Sequence, residues 1–538
     1  MIKRPFNLKA WQVIIVISLW LTFTYNGALL YAMQEHYQLT SAAPVIALTA
    51  VMLLLNGLFA TLMIWPKIWR FSVAVVVFSS ALALYFQQHY GILIDADMLI
   101  NVLETDASES SSLVTLSLLF TCVLWGVVPS LLLRLITIEW PSRKRHVVLH
   151  HTLLLSALLV GLMSVIMVWY QPLASLVRNH RELKHQVIPV NWVSAAVSVA
   201  NSQFHSAPSY IDLTATAEKI STMTATNHRV LVLVIGETAR ADHFSINGYA
   251  RDTTPRLKQL SEQHKLINFG AIAACGTATA TSVPCLLSYQ TREAFDPESA
   301  RNSSNVLDIA QAAGYSVIWI DNNSGCKDMC NRVATVNTSD HRDDPLCVDS
   351  DYCNDGILVK QLQHQLAHIS SDTVIVLHMI GSHGPAYYRR SLPSDKIFSP
   401  ECTSSNFEQC STAELVNSYD NSLRTTDDVI ADSIAVLNNS TYESALLYVS
   451  DHGESLGENG TYLHGMPYWL APAAQREVPM VLWLSDSYAQ QTQLRPECLS
   501  PSADQALSHD HIFHSFLGLL QVTSSLYRAS LDVTTWCG

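Results

Sequence analysis

Five long apolar stretches crowd into the first 170 residues, and they constrain this chain more than any other feature. They run over Trp11–Met33, Ala43–Trp65, Phe71–Phe86, Leu113–Ile136 and Val147–Tyr170. A helix needs about 20 apolar residues to cross a bilayer. Backbone polar groups have no water to bond there, so helices are the expected form. The first stretch is longer than the apolar core of a signal peptide and is followed by further spans, so it is expected to be retained. Trp11, Trp65, Trp69, Tyr90, Trp140, Trp169 and Tyr170 fall near the ends, where amphipathic rings favour headgroup depth.

Orientation follows from the basic residues. Lys3, Arg4 and Lys9 precede the first span, Lys67 and Arg70 follow the second, and Arg134, Arg143, Lys144 and Arg145 flank the turn between the fourth and fifth. The alternate loops, Gln34–Ser41 and Gln87–Ser112, hold no Lys or Arg. The N-terminus is therefore expected in the cytoplasm and the C-terminal domain on the other side. Through Tyr170 the net charge is +2, against −13 for the whole chain, which leaves −15 beyond it. So acidic an exported portion argues against a nucleic-acid partner. The division expected is 1–170 for the membrane domain, 171–228 for interfacial helices and a polar linker, and 229–538 for a catalytic domain.

Cysteine usage suits export to an oxidising compartment. Of 11 cysteines only Cys122 lies among the spans; the others form close pairs, Cys275/Cys285, Cys326/Cys330, Cys347/Cys353 and Cys402/Cys410, with Cys498 and Cys537 remaining. They read as five disulfides, the last by remainder. Cys326-x-x-x-Cys330 as part of a zinc cluster is the alternative.

The distal domain alternates strand and helix patterns. VLVLVIG, ending in Gly236, is an unbroken apolar run suited to a strand buried on both faces. SVIWIDNN, TVIVLHMIGSHG and SALLYVSDHGE repeat the pattern, and VPMVLWL is expected to close the sheet. NVLDIAQAAG, Thr412–Asn438 and His509–Leu520 read as helices. The order predicts a parallel sheet with helices on both faces.

Four of these runs end in metal-competent residues: Glu237; Asp321-Asn322-Asn323; His378 and His383; Asp451-His452. His464 follows in LHGMP. Any one of them is most often a cap or a bonded core residue, but convergence at strand ends favours a site from Glu237, His383, Asp451, His452 and His464. In Cys275–Cys285, the hydroxyls of Thr277, Thr279, Thr281 and Ser282 are candidate nucleophiles if a helix begins in that loop. Spacing does not choose among the four.

GETARADHFSINGYARDTTP, CGTATATSVPC, DNNSGCKD, GSHGPAYYRR, NSYDNSLRTTDD and SDHGESLGENGTYLHGMP resemble the phosphoethanolamine–lipid A transferases, including the mobilised colistin-resistance enzymes. The resemblance covers essentially the whole chain. It implies five membrane helices plus a periplasmic αβα sandwich of the alkaline-phosphatase/sulfatase type, in a monomeric, multi-pass protein of the bacterial inner membrane. It further implies Thr279 as nucleophile on a Zn2+ ion also held by Glu237, Asp451 and His452. His383 and His464 match positions for substrate phosphate or a second zinc. Asn101, Thr105, Glu109, Ser324 and Lys327 match substrate-binding positions. The implied reaction moves phosphoethanolamine from phosphatidylethanolamine to lipid A and so lowers polymyxin binding. A core-sugar transferase, a glycerophosphate polymerase and a non-catalytic zinc-binding envelope sensor are the alternatives; the C-x-P-x-R string of sulfatases is absent.

Overall fold

The computed structural model describes residues 6–36, 42–105, 110–111, 113–180, 183–204, 209–220, 227–341, 343–347, 352–499 and 505–537. The chain forms two compact units, Met1–Leu99 with Val114–Ser202, and Ile100–Leu113 with Gln203–Gly538.

In the first unit, α1 (Ala10–His36), α2 (Ala43–Met63) and α3 (Trp69–Tyr90) are followed by the short helix α4 (Ala96–Glu104), which runs on into the second unit. A fourth span, Leu116–Leu135, and α5 (Lys144–Val168) complete five helices long and apolar enough to cross a membrane. The third reaches well beyond Phe71–Phe86, because Arg70, Gln87, Gln88 and His89 lie within its end turns and mask its length in a hydropathy reading. The fourth is irregular, with a π-helical turn over Cys122–Val127 ahead of Pro129. Proline lacks the N–H that the carbonyl four residues earlier requires. That carbonyl belongs to Trp125, and the Tyr25 hydroxyl donates to it at 2.7 Å. In hydrocarbon this repair matters, because no water replaces the lost donor. On α5 only Val147 and His151 are buried, and its other Leu and Val side chains are partly or fully exposed, as lipid contact requires. Helices Tyr170–Asn179, Leu183–Gln186 and Val190–Phe204 follow. Asn26 of α1 fastens them: its Nδ2 donates to the Ile188 carbonyl at 2.7 Å and its Oδ1 accepts from Ile188 N at 2.8 Å.

The second unit is built on a seven-stranded sheet. In chain order its strands are β1 (Arg229–Gly236), β2 (Ile267–Ala273), β3 (Ser316–Asp321), β4 (Ala334–Asn337), β5 (Thr373–His378), β6 (Glu443–Ser450) and β7 (Glu477–Leu484). Their spatial order is β2-β7-β6-β1-β5-β3-β4. β1 is central and wholly buried. Leu231, Leu233 and Ile235 join the core that includes Val283, Ile309 and Phe516 from helices on one face. The expected all-parallel sheet is corrected here: β7 runs antiparallel to both β2 and β6, so the sheet is mixed. VPMVLWL (within β7) lies inside the sheet, and β2 and β4 are the edges. Both escaped the sequence reading. β2 is partly exposed and carries Gly270 at φ 73 opposite a register shift, while β4 has four residues. Short or bulged edges have little apolar pattern to read.

Helices α6 (Thr279–Leu287), α7 (Val306–Ala312), α8 (Thr412–Asn438) and α9 (Ile512–Leu520) flank the sheet. α7 and α8 both begin with capping boxes, from Asn305 with Asp308 and from Ser411 with Glu414. Disulfides join Cys275–Cys285, Cys326–Cys330, Cys347–Cys353 and Cys402–Cys410. Cys326 and Cys330 are therefore bridged to each other. Cys498 is disulfide-bonded, and the side chain of Cys537 lies outside the described residues. The four described bridges span only 10, 4, 6 and 8 residues, so each stiffens one loop.

Candidate active site

β1 and β6 are parallel neighbours with Gly236 opposite Ser450, so Glu237 and the pair Asp451-His452 leave the sheet side by side. Carboxyl ends of strands are where such sheets hold ligands. Gly236 is required, since a Cβ there would sit 2.5 Å from the Tyr448 hydroxyl oxygen. Thr238 holds φ at 55, a strained setting for a β-branched residue. It is kept there by Tyr419, whose hydroxyl donates to the Thr238 carbonyl at 2.7 Å, and by Thr238 N donating to Asp451 Oδ1 at 3.3 Å.

Ligand atoms of Glu237, Asp451 and His452 lie within 4.8 Å of one another, and all three residues are buried. His452 Nδ1 lies 2.9 Å from the Gly453 carbonyl. A carbonyl only accepts, so Nδ1 carries a proton and Nε2 is the ring atom turned to the cluster. Nε2 faces Glu237 Oε1 at 3.1 Å and Asp451 Oδ2 at 3.4 Å, and neither oxygen has a hydrogen-bond partner. Lone pairs converging in a buried space call for a cation.

Thr279 begins α6, one residue after the extended Ala278. Its Oγ1 donates to Glu237 Oε2 at 2.9 Å and lies 3.4 Å from His452 Nε2. The other hydroxyls of the loop are engaged elsewhere or carry no bond to the cluster. Thr277 Oγ1 donates to the Met466 carbonyl at 2.6 Å, and Ser282 Oγ accepts from Gly276 N at 3.0 Å. Besides the Cys275–Cys285 bridge, His509 fixes this loop: Nδ1 accepts from Cys275 N at 3.1 Å and Nε2 donates to the Ser450 carbonyl at 3.0 Å. Burial pushes His509 down to about 4, so the ring is neutral and can play both parts. Nothing in the sequence singled it out.

His383 and His464 stand beside the cluster, their ring centroids 5.1 Å apart and that of His464 4.5 Å from His452. His464 Nδ1 donates to Glu454 Oε2 at 2.8 Å, and the Tyr387 hydroxyl donates to Glu454 Oε1. Asn323 Nδ2 donates to Glu237 Oε2 at 2.9 Å, while its Oδ1 accepts from Ser324 N at 2.6 Å. Asn323 thus links the cluster to Ser324 and to Lys327, whose Nζ donates to Ser324 Oγ at 3.0 Å. Asp321 and His378, also metal-competent at strand ends, bond to each other at 2.7 Å and are not among the three residues whose ligand atoms converge. Asn101 and Thr105 bond within their own turn, Thr105 Oγ1 to the Asn101 carbonyl at 2.7 Å; Glu109 lies outside the described residues.

Residues 229–522 match the sulfatase family, and residues 48–204 match the family described as phosphoethanolamine transferase EptA/EptB. Phosphoethanolamine transferase EptA of Escherichia coli K12 is 36% identical over 100% of this chain and 98% of its own length. The chain belongs to the phosphoethanolamine transferases. Phosphatidylethanolamine transferase Mcr-1 of Escherichia coli is 33% identical, with 94% of each chain covered. The integral membrane lipooligosaccharide phosphoethanolamine transferase A of Neisseria meningitidis superposes with a TM-score of 0.93 at 32% identity, covering 98% of this chain and 99% of that one. The shared fold with sulfatases comes without their C-x-P-x-R string.

Electrostatics of the transferase cluster repeat the demand for a cation. Burial, then the adjacent Glu237 charge, push Asp451 up to about 7. Burial opposes ionisation of Glu237 too, but His452, aided by His383 and His464, holds it well below the usual carboxylate range. Burial would lower His452; Asp451 and Glu237 outweigh it and push the imidazole up to about 10. Two carboxylates therefore seek one positive charge, from a proton on His452 or from a metal that takes its place. His464 is pushed down to about 3, by burial and then by His452, so its Nε2 also carries a lone pair.

Proposed function

We propose that this transferase moves phosphoethanolamine from phosphatidylethanolamine to a phosphate of lipid A, with zinc, through an ester on Thr279. The observation that carries the reading is Thr279 Oγ1 at the first turn of α6, bonded to Glu237 beside the two unpartnered carboxylate oxygens. Glu237, Asp451, His452 and Thr279 would hold the ion: one imidazole, two carboxylates and a hydroxyl are a zinc-type donor set. When bound, zinc supplies Lewis acidity that lowers the hydroxyl pKa and offsets phosphoryl charge.

In the first half-reaction Thr279 Oγ1 attacks phosphorus, the bond from phosphorus to the diacylglycerol oxygen breaks, and that oxygen takes up a proton and departs as the alcohol. Glu237 Oε2, which accepts from Oγ1, orients the threonine hydroxyl for attack, and the threonine proton is the one that the departing diacylglycerol oxygen takes up. The amides at the start of α6 favour the charge gathered on the phosphoryl group. In the second half-reaction a lipid A phosphate oxygen attacks, the phosphorus–Oγ1 bond breaks, and Thr279 recovers its proton. Lys327 and Ser324 supply donors for phosphate. The lone pair on His464 Nε2 suits a second cation or an incoming proton better than direct contact with phosphate. The reading uses residues of one chain alone, in keeping with a monomer. Modified lipid A would carry less net negative charge and bind polymyxin less well.

The purified full chain incubated with labelled phosphatidylethanolamine and lipid A should release diacylglycerol and yield phosphoethanolamine-modified lipid A by mass spectrometry. Zinc binding without diacylglycerol release would favour a sensor, and modified core sugar would move the acceptor. The basic loops between the membrane spans support a distal unit on the opposite side, in the periplasm of a bacterial inner membrane. A reporter fused after Tyr170 should be active only in the periplasm and one after Arg145 only in the cytoplasm; the reverse pattern would overturn this orientation.

A further inference from the structure

A cavity of about 500 Å³ opens in the second unit, with Glu104, Asp321, Ser324, Lys327, Asp328 and Asn331 among its lining residues. It is tied to the reaction centre from two sides. Ser324 reaches Glu237 through Asn323, by bonds of 2.6 and 2.9 Å. Glu104 reaches the nucleophile helix through Arg301, which donates from Nη1 to Glu104 Oε1 at 2.7 Å and from Nη2 to the Ala280 carbonyl at 2.9 Å. Ala280 is the residue after Thr279.

Arg301 claims one oxygen of Glu104. The other, Oε2, is shielded from water and has no hydrogen-bond partner. A desolvated carboxylate oxygen left unpaired is costly unless something docks on it. Neighbouring carboxylates are not in that condition. Asp321 is saturated, accepting from Trp319 Nε1 and His378 Nδ1 on Oδ1 and from Gly325 N on Oδ2. Asp328 is exposed and accepts from Asn331 Nδ2 at 3.0 Å.

The lining excludes other simple occupants. A lone anion would meet Glu104, Asp321 and Asp328, and a divalent metal would meet the Lys327 ammonium. A zwitterion meets neither difficulty if its anionic end sits at Lys327 and Ser324 and its cationic end at Glu104. Trp319 is the single aromatic among the lining residues, so the cavity lacks the cage that suits a quaternary ammonium. A carboxylate oxygen suits a primary ammonium, which donates hydrogen bonds.

Resting on the reading of the site given above, we infer that Glu104 receives the ammonium of the donor's ethanolamine headgroup and sets the preference for it. Arg301 holds Glu104 in place and ties that recognition to the first turn of α6. The separation of 197 residues between Glu104 and Arg301 explains why no sequence pattern pointed to the pair.

The test compares two soluble probes on the full chain in detergent, phosphoethanolamine and propyl phosphate, which differ in the ammonium. Binding of each is measured by calorimetric titration to wild type and to Glu104→Gln, which keeps an oxygen for Arg301 but removes the charge. Wild type should prefer phosphoethanolamine, and Glu104→Gln should lose about tenfold or more of that preference, as for one charge-assisted hydrogen bond. Propyl phosphate should bind both forms alike, which also shows that the variant is folded. An unchanged preference overturns the assignment. So does an equal weakening of both probes, because Glu104 would then act only by holding Arg301. If wild type turns over phosphatidylethanolamine yet shows no preference, the assignment fails while the transferase reading stands. If it neither turns over phosphatidylethanolamine nor binds either probe, the transferase reading fails first.

Discussion

Thr279→Ala should abolish transfer, with a loss on the order of 10⁴-fold or more, as expected when a covalent nucleophile is removed. Diacylglycerol release should vanish with it, because the first half-reaction has no attacking oxygen. The metal should remain, bound more weakly, since Glu237, Asp451 and His452 keep their ligand atoms within 4.8 Å of one another. The neighbouring hydroxyls provide the contrast. Thr277→Ala removes one hydrogen bond, to the Met466 carbonyl, worth about 1 kcal/mol, or less than about tenfold in rate. Thr281→Ala removes no bond to the cluster and should fall in the same range. Mass spectrometry of peptides from enzyme quenched with phosphatidylethanolamine, but without acceptor, should find phosphoethanolamine on Thr279. An adduct on Thr277, Thr281 or Ser282 would refute the assignment, whatever the alanine variants do.

How much of this was legible depends on how local the signal is. β1 could be read because a central strand covered on both faces must be apolar throughout, and Val230–Ile235 is. α8 could be read because its whole length, including the Ser411–Glu414 capping box, is written in consecutive residues. The strand count was not legible: β2 and β4 are edges, and the direction of β7 is set by the path of the connection before it. Asp321 and His378 share the grammar of true cluster residues, yet they pair across adjacent strands, Asp321 opposite His378 in the register. Residue type marks what could bind metal, and only the fold decides which groups converge. His509 bonds to Cys275 and Ser450 and Arg301 to Glu104, all far away in sequence, so these two left no periodicity or motif to find.

Glu237→Gln should empty the metal site without unfolding the chain. In the wild type one Glu237 oxygen accepts from Thr279 Oγ1 and Asn323 Nδ2, while the other faces His452 Nε2 without a hydrogen-bond partner. Glutamine keeps the volume but must turn an NH2 group toward one side. Facing inward it sets donors against the cation; facing outward it opposes the donors of Thr279 and Asn323. Either way one of the two carboxylate charges opposite the ion is gone. Zinc measured after dialysis should fall at least about tenfold below wild type, the lower end of losses seen even for residues that only support metal ligands. Transfer should fall with it. Stability separates this from simple damage. A ligand that binds only the folded state at 100 times its Kd adds about 2.7 kcal/mol, so wild type should lose thermal stability on chelation. Glu237→Gln should show no such response, and should unfold near the chelated wild type because it buries one uncompensated charge fewer. Wild-type zinc content in the variant, or an unchanged chelator response, would show that the ion is held elsewhere and that Glu237 serves only to orient Thr279.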